Sequence, residues 1–528
     1  MLAGSSGFDL LHASVSGDPR LGVKCAASDV QQQRTTFRNA LWVTCLAASL
    51  LASCGSDLAR PGPTVHVWLT TPDLVDALSP QADVTPTGGG RADVTFDDTI
   101  AMQSIDGFGA AFTDTSASLI WGTLAKTDRD DLMAELFSRQ RGIGLSFMRV
   151  PMASSDFTDC GCTYSYDDDG APDPTLSGFS TSHDDASIIP MILQAQAINP
   201  LMKLFANPWS PPAWMKTNGS MLGGGDGALR DDAHDALAQY FVHFLQEYAA
   251  KGVSIWAITP QNEPSFAPSS YAGMLLPAAD EAQLIAGHLA PALSAAGLSD
   301  VKILGGDDIG ASRDFATTLF AGATDELYGT AWHCYGGLDE MTSIHSDQPN
   351  RPLYMTECST GPTGIAGDAT QQILASVANW ASGAVLWNLA LDQNGGPKMG
   401  EGCVGCTGLA TIDTTTGELQ LTLNYYELGQ FSKFIVPGAT RVASTEGNGV
   451  LAQAFHNPDE TDTLVVFNPG GAPAGFSVDW TGKGVFATTV PAGATLTFTT
   501  TDPSNLASTD RRAQSQMHRI STGPRDRP

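Results

Sequence analysis

Eight short apolar runs, separated by longer amphipathic segments, fill the chain from residue 105 to about residue 432. They are 104–112, 145–150, 203–209, 254–259, 302–307, 328–335, 352–357 and 384–390. Their length and their β-branched and aromatic content mark strands buried on both faces. Between them, segments such as 129–140, 186–198, 231–250, 280–296, 313–321 and 370–381 repeat apolar residues at helical spacing. Strands that alternate with helices must run parallel, since each crossover returns the chain in the same direction. Eight of them over roughly 320 residues predict an α/β fold, a (β/α)8 TIM barrel spanning residues 101–432.

The flanks carry a different period. Residues 64–70 and 91–96, and then 450–454, 463–467, 475–478 and 494–499, alternate apolar with polar and are punctuated by Gly, Pro, Asn and Asp. This pattern predicts one small antiparallel β-sandwich domain built from both ends of the chain, residues 60–100 together with 433–501. Beyond it, residues 502–528 are polar, Arg-rich and aperiodic, the composition of a disordered tail.

Residues 1–53 read as a targeting segment. Arg34 and Arg38 precede the apolar stretch 40–52, which is too short to span a bilayer but long enough for a signal-peptide core. It ends in Leu51-Ala52-Ser53-Cys54, which resembles the lipobox of bacterial lipoproteins and makes Cys54 the expected lipidation site. An exported protein, either anchored in the cell envelope by that lipid or secreted, is the expectation. Export permits disulfides, so Cys160 with Cys162 and Cys403 with Cys406, in Gly-rich loops without an adjacent histidine, are expected to form them in an unspecified pairing rather than bind zinc. Cys334 and Cys358 fall within strand patterns and are expected as small buried residues. The balance of 27 Lys and Arg against 56 Asp and Glu, a formal charge of −29, excludes nucleic acid as a partner, because phosphate binding needs a basic face.

In a parallel barrel the functional side chains gather at the carboxyl ends of the strands. Those ends supply, in order, Asp114; Arg149; Asn207 and Trp209; Asn262 and Glu263; Asp307; His333 and Tyr335; Glu357; and Trp387 with Asn388. In Thr259-Pro260-Gln261-Asn262-Glu263-Pro264 the proline stops the fourth strand and is expected to hold Glu263 extended at its end. Glu263 and Glu357 then face each other across the mouth, among aromatic faces and amides suited to sugar rings and hydroxyls. Two facing carboxylates suit glycoside hydrolysis: Glu263 as the acid, Asn262 on a sugar 2-hydroxyl, and Glu357 as the nucleophile with Tyr335 and His333 hydrogen-bonded to its carboxylate. Arg149 is expected to brace a catalytic carboxylate or the barrel floor, and Trp214, Trp256 and Trp332 to belong to the core.

Eight stretches carry a family resemblance: DGFGAAFTD (106–114), FMRVPMASSDFT (147–158), NPWSPPAWMKTNG (207–219), ITPQNEPS (258–265), AWHCYGG (331–337), YMTECS (354–359), LWNLALDQNGGP (386–397) and YYELGQFSKFIVPGATRV (425–442). Together they resemble glycoside hydrolase family thirty, the glucosylceramidase-like enzymes. The resemblance implies a retaining β-glycosidase with Glu263 as acid/base and Glu357 as nucleophile, and without a metal. It also implies that Asp114, Trp209, Asn262, Tyr335 and Trp387 bind the glucosyl unit and that His333 neighbours the nucleophile. Cys358 follows Glu357 directly, where an alanine intervenes in the human-like members, and the loop 400–408 departs from theirs as well. The implied substrate is a carbohydrate or glycolipid, glucosylceramide or a simple β-glucoside first, with β-1,6-glucan or xylan as the alternative on the same catalytic pair. A carbohydrate-binding protein without turnover is the reading of a different class, and the intact glutamates oppose it.

Overall fold

The computed structural model describes residues 63–501 apart from 169, 226, 310, 311, 362–366 and 401. The targeting segment, Cys54 and the tail 502–528 lie outside the described residues.

All eight apolar runs form strands of one parallel sheet: Gly107–Ala110, Phe147–Pro151, Lys203–Asn207, Ala257–Ile258, Lys302–Asp308, Gly329–His333, Leu353–Glu357 and Ala381–Leu386. The sheet order is first, eighth, seventh and so on round to the second. A single parallel bridge, Ala111 to Arg149, then brings the first strand back to the second. Gly109 permits that approach, since a Cβ there would lie 1.9 Å from the Phe147 carbonyl oxygen. The barrel is filled, not hollow: Phe147 stacks on Phe205 and Tyr354, each at 5.2 Å, among Ala257, Leu304, Ala331 and Val385. An outer core joins the strands to the surrounding helices, which bury apolar residues on their inner faces, as His234–Ala250 does with Leu237, Phe241, Phe244 and Leu245.

The helices depart from the pattern in two ways. Lys126–Phe137 starts and ends three residues before the expected 129–140, and 278–295 is broken by a π-helical turn at Ile285–Leu289 between Ala278–Leu284 and Ala290–Ala295. Helices at Asp114–Ser118 and Glu340–Asp347, too short for their periodicity to stand out, were not visible in the pattern.

Both ends of the chain meet in one nine-stranded sheet, ordered Gly484–Val490, Ala474–Trp480, Val94–Ile105, Ala439–Ser444, Leu451–His456, Asp462–Phe467, Thr495–Thr499, His66–Thr70 and Ser79–Pro80. It is antiparallel as expected except that Ala474–Trp480 runs parallel to Val94–Ile105. Ala439–Ser444 and Gly484–Val490 extend the predicted set of strands. The strand Val94–Ile105 runs past the expected boundary at residue 100, and Asp106 alone separates it from the first barrel strand. Helix Leu423–Ser432 ties the sheet to the barrel, with the Gln430 amide donating to the Thr70 hydroxyl at 2.7 Å and the Gln430 carbonyl accepting from Thr497 at 2.9 Å. Among the described residues no helix is long and apolar enough to cross a membrane.

The closing seam is open to test. Gly109→Ala should destabilise the fold by about 3 kcal/mol through overpacking against rigid backbone, seen as a lower thermal midpoint. An unchanged midpoint would mean that the first and second strands do not approach this closely.

Candidate active site

The fourth strand ends at Ile258, and Glu263 is carried beyond it on a tight loop. Its backbone is not extended, as expected from the following proline, but left-handed, with φ of 48°. The reason is local hydrogen bonding: the Glu263 amide donates to the Asp307 carbonyl at 2.8 Å, while its carbonyl accepts the Phe266 amide at 2.8 Å and closes a turn. A non-glycine residue held there stores backbone strain, which persists only where its surroundings dictate it. Here they turn the Glu263 side chain into the barrel mouth. Glu357 ends the seventh strand, so its position is set by the sheet itself.

Both carboxylates are buried, and an oxygen of each lies within 4.8 Å of the other and of a His333 ring nitrogen. This close spacing suits direct attack by one carboxylate, since an inverting pair stands about 6.5 Å or more apart to admit a water.

Beneath them lies a fully buried polar layer. Arg149 is 3.1 Å from Glu357 Oε2 and 3.1 Å from Asp307 Oδ2, and it donates to Asn262 Oδ1 at 2.7 Å, Asn207 Oδ1 at 3.1 Å and the Thr356 carbonyl at 2.9 Å. It braces the nucleophile candidate as expected. Asp307 also accepts from Thr259, Thr356, Asn207 and His333. Against the desolvation of its burial, the Arg149 charge and these hydrogen bonds hold its carboxyl well below the usual range.

Tyr335 donates to Glu357 Oε1 at 2.9 Å, as expected. His333 does not share that role. Its Nε2 is anchored on Asp307 at 3.1 Å, which swings Nδ1 to Glu263 Oε1 at 3.2 Å and leaves it 3.7 Å from Glu357. Burial disfavours its cation, yet the Glu357 charge and the bonds to Asp307 and Glu263 push its pKa up to about 10. Burial, reinforced by the Glu357 charge and opposed by His333, raises Glu263 above the ordinary glutamate value. A carboxyl of raised pKa opposite a carboxylate paired with a guanidinium suits the division of roles that acid–base chemistry at a glycosidic bond requires.

Trp209 and Trp387 stack on each other at 5.0 Å, and with Asn262 and Tyr335 they line the cavity above the glutamates. Asp114 does not line it. It opens the helix Asp114–Ser118, and its carboxylate is engaged by His183 Nε2 at 3.1 Å and by the Asp159 amide at 2.9 Å. Asn207 lies in the polar layer, Asn388 is fully buried, and Trp332 is in the core with Trp214 and Trp256 packed against it, as expected.

The cavity also contains Asp156, Tyr271 and Ile309, which the sequence did not single out, and Cys403, expected only as a disulfide cysteine. Asp156 Oδ2 accepts the Cys403 amide at 3.1 Å, while Oδ1 is buried without a hydrogen-bond partner among the described residues. Desolvation, with the charges of Glu357 and Glu263, pushes its pKa up to about 8. These four sit on loops beyond strand ends, where no periodicity points at them, although Asp156 falls within the quoted motif 147–158.

Cys160 pairs with Cys162 and Cys403 with Cys406, each within its own loop. Cys334 and Cys358, expected unpaired, are joined, because adjacent strand ends bring their Cα atoms to 5.1 Å. Glu263, His333 and Glu357 have the spacing of a three-ligand metal site, but a guanidinium on Glu357 and a proton-retaining histidine oppose a second cation.

The chain matches the Glycosyl hydrolase family 30 TIM-barrel domain over residues 105–435 and the Glycosyl hydrolase family 30 beta sandwich domain over residues 438–498. It is 36% identical over 400 residues to Endo-1,6-beta-D-glucanase BGN16.3 of Trichoderma harzianum, covering 72% of this chain and 80% of that enzyme. It is 31% identical over 395 residues to the lysosomal acid glucosylceramidase of Mus musculus, covering 70% and 75% respectively. Among solved structures, the endo-beta1,6-glucanase BT3312 superposes with a TM-score of 0.75 at 28% identity, covering 83% of this chain and 99% of that one.

The His333–Glu263 contact makes a signed prediction. His333 lowers the Glu263 pKa, so His333→Gln should raise it and move the alkaline limb of the kcat/KM profile to higher pH. A limb that stays put or moves to lower pH would show that Glu263 does not set it.

Proposed function

The chain belongs to glycosyl hydrolase family 30 and is a glycoside hydrolase, and on that premise we propose that it cleaves β-linked glucosyl units with retention, acting internally on β-1,6-glucan. The observation that carries the mechanism is the approach of a Glu263 oxygen to a Glu357 oxygen within 4.8 Å. Glu357 attacks the anomeric carbon while Glu263 passes its proton to the leaving oxygen. A glucosyl ester on Glu357 results, and its formation removes the negative charge that helps to keep Glu263 protonated. Glu263 then accepts a proton from water, which attacks the same carbon and releases the sugar. Asn262, held by Arg149 at 2.7 Å, presents its amide to the 2-hydroxyl, and Trp209 with Trp387 gives the ring an apolar face.

The substrate reading rests on the endo-1,6-β-glucanases among the relatives, at 34–36% identity. Glucosylceramide is the second reading, supported by glucosylceramidases at 31–33% identity. Xylan receives less support, from three xylanases of shared fold at 20–23% identity. Export with a lipid on Cys54 belongs to the proposal through the lipobox-like Leu51-Ala52-Ser53-Cys54.

A panel of β-1,6-glucan, glucosylceramide, xylan and aryl β-glucosides separates these readings. Release of short β-1,6-linked products at the highest kcat/KM is expected, and a preference for glucosylceramide would transfer the assignment to the second reading. Glu357→Gln should abolish nearly all turnover, and a wild-type rate would sink its role. Glu263→Ala should slow substrates with poor leaving groups by roughly 100-fold or more while sparing activated aryl glucosides. Equal losses on both would mean another proton donor.

A further inference from the structure

We propose that the Cys334–Cys358 disulfide is a positioning device for the nucleophile, locking the Tyr335 hydroxyl onto Glu357. This rests on the assignment of Glu357 above. The sixth and seventh barrel strands run in register from Leu353 opposite Thr330 to Met355 opposite Trp332, then slip so that Glu357 faces His333. One more backbone bond follows, from the Cys334 amide to the Glu357 carbonyl at 3.1 Å. There the sixth strand ends, and the chain turns through Cys334 and Tyr335. The sheet therefore does not fix where the Tyr335 ring lies.

The disulfide sits at that point. It joins the residue just before Tyr335 to the residue just after Glu357, across Cα atoms 5.1 Å apart. The Tyr335 hydroxyl in turn donates to Glu357 Oε1 at 2.9 Å. One covalent link and one hydrogen bond thus close a small ring through four residues, Cys334, Tyr335, Glu357 and Cys358. Inside such a ring the hydroxyl has few rotatable bonds to fix. With the disulfide open, Tyr335 hangs on a turn and must lose that freedom each time it finds the carboxylate. Arg149 cannot substitute for it, since it meets the other oxygen, Oε2. Among the described residues, the other two disulfides close loops of their own and join no pair of barrel strands.

The test is a cycle of four proteins assayed on an aryl β-glucoside: wild type, Cys334→Ala/Cys358→Val, Tyr335→Phe and their combination. The cysteine variant should lose about 10-fold in kcat, the scale of one hydrogen bond to a charged group, with KM within about 2-fold. Tyr335→Phe should lose a similar factor. The combination should lose hardly more than Tyr335→Phe alone, because both changes remove the same bond. Losses that multiply, or a cysteine variant as fast as wild type, would overturn the proposal. Should that variant fail to fold by circular dichroism, wild type and Tyr335→Phe are compared before and after treatment with a water-soluble phosphine. The S–S bond then splits into two thiols, and the phosphine is oxidised to its oxide with oxygen from water. Alkylation and peptide mass spectrometry confirm that Cys334 and Cys358 are the thiols released, and the same pattern of losses is required. A wild type inert on every β-glucoside would instead sink the glycosidase assignment itself, and shows before any variant is made.

Discussion

Arg149 is the group on which the rest of the site depends. It is a fully buried guanidinium whose donors reach Asp307, Glu357, Asn262, Asn207 and the Thr356 carbonyl, which come from the third, fourth, fifth and seventh strands and the loops that follow them. Its planar fork suits several acceptors at fixed angles, which a lysine ammonium cannot match. Losing one partner of a buried ion pair costs roughly 3–5 kcal/mol, because the remaining charge stays desolvated. At this position two carboxylates would be left so. The indole faces of Trp209 and Trp387, 4.9 and 5.4 Å from the guanidinium, complete its surroundings. The polar layer and the aromatic wall are thus one packed unit.

That unit gives two chemically identical side chains different surroundings. Glu357 is met by a cation on one oxygen and a hydroxyl on the other, so its negative charge is compensated where it stands. Glu263 has no guanidinium on its carboxylate, and burial together with the charge of Glu357 raises its pKa above the ordinary glutamate value. The histidine between them touches Glu263 and Asp307 and serves as the electrostatic link to the layer below. Asp156, pushed up to about 8 by the same burial and the same two charges, adds a polar group to the cavity wall.

Much of this was legible in the sequence, for a physical reason. A barrel strand has to be apolar over a short run and must deliver its carboxyl end to the mouth, so Arg149 and Glu357, on such strands, and Trp387, next to one, could be located by pattern. Where the chain leaves the strand, the pattern stops constraining it. Glu263 was found, but its left-handed backbone was not, because that depends on the Asp307 carbonyl of a neighbouring strand. The contacts of Asp114 with His183 and the Asp159 amide depend on loops that no strand pattern describes. Asp156, Tyr271 and Cys403 lie on loops whose course is set by tertiary contacts, and the Cys334–Cys358 link appears only when two strands separated by a helix are laid side by side.

In the proposed reaction Glu357 bonds directly to the sugar while Glu263 handles the proton, two displacements at one carbon. The stereochemistry of the first product reports on it most directly. Proton NMR of a β-glucoside digest, recorded before mutarotation, should show the β-anomer of the released sugar accumulating first, with the α-anomer growing in later. Appearance of the α-anomer first would mean a single displacement by water and would contradict the account.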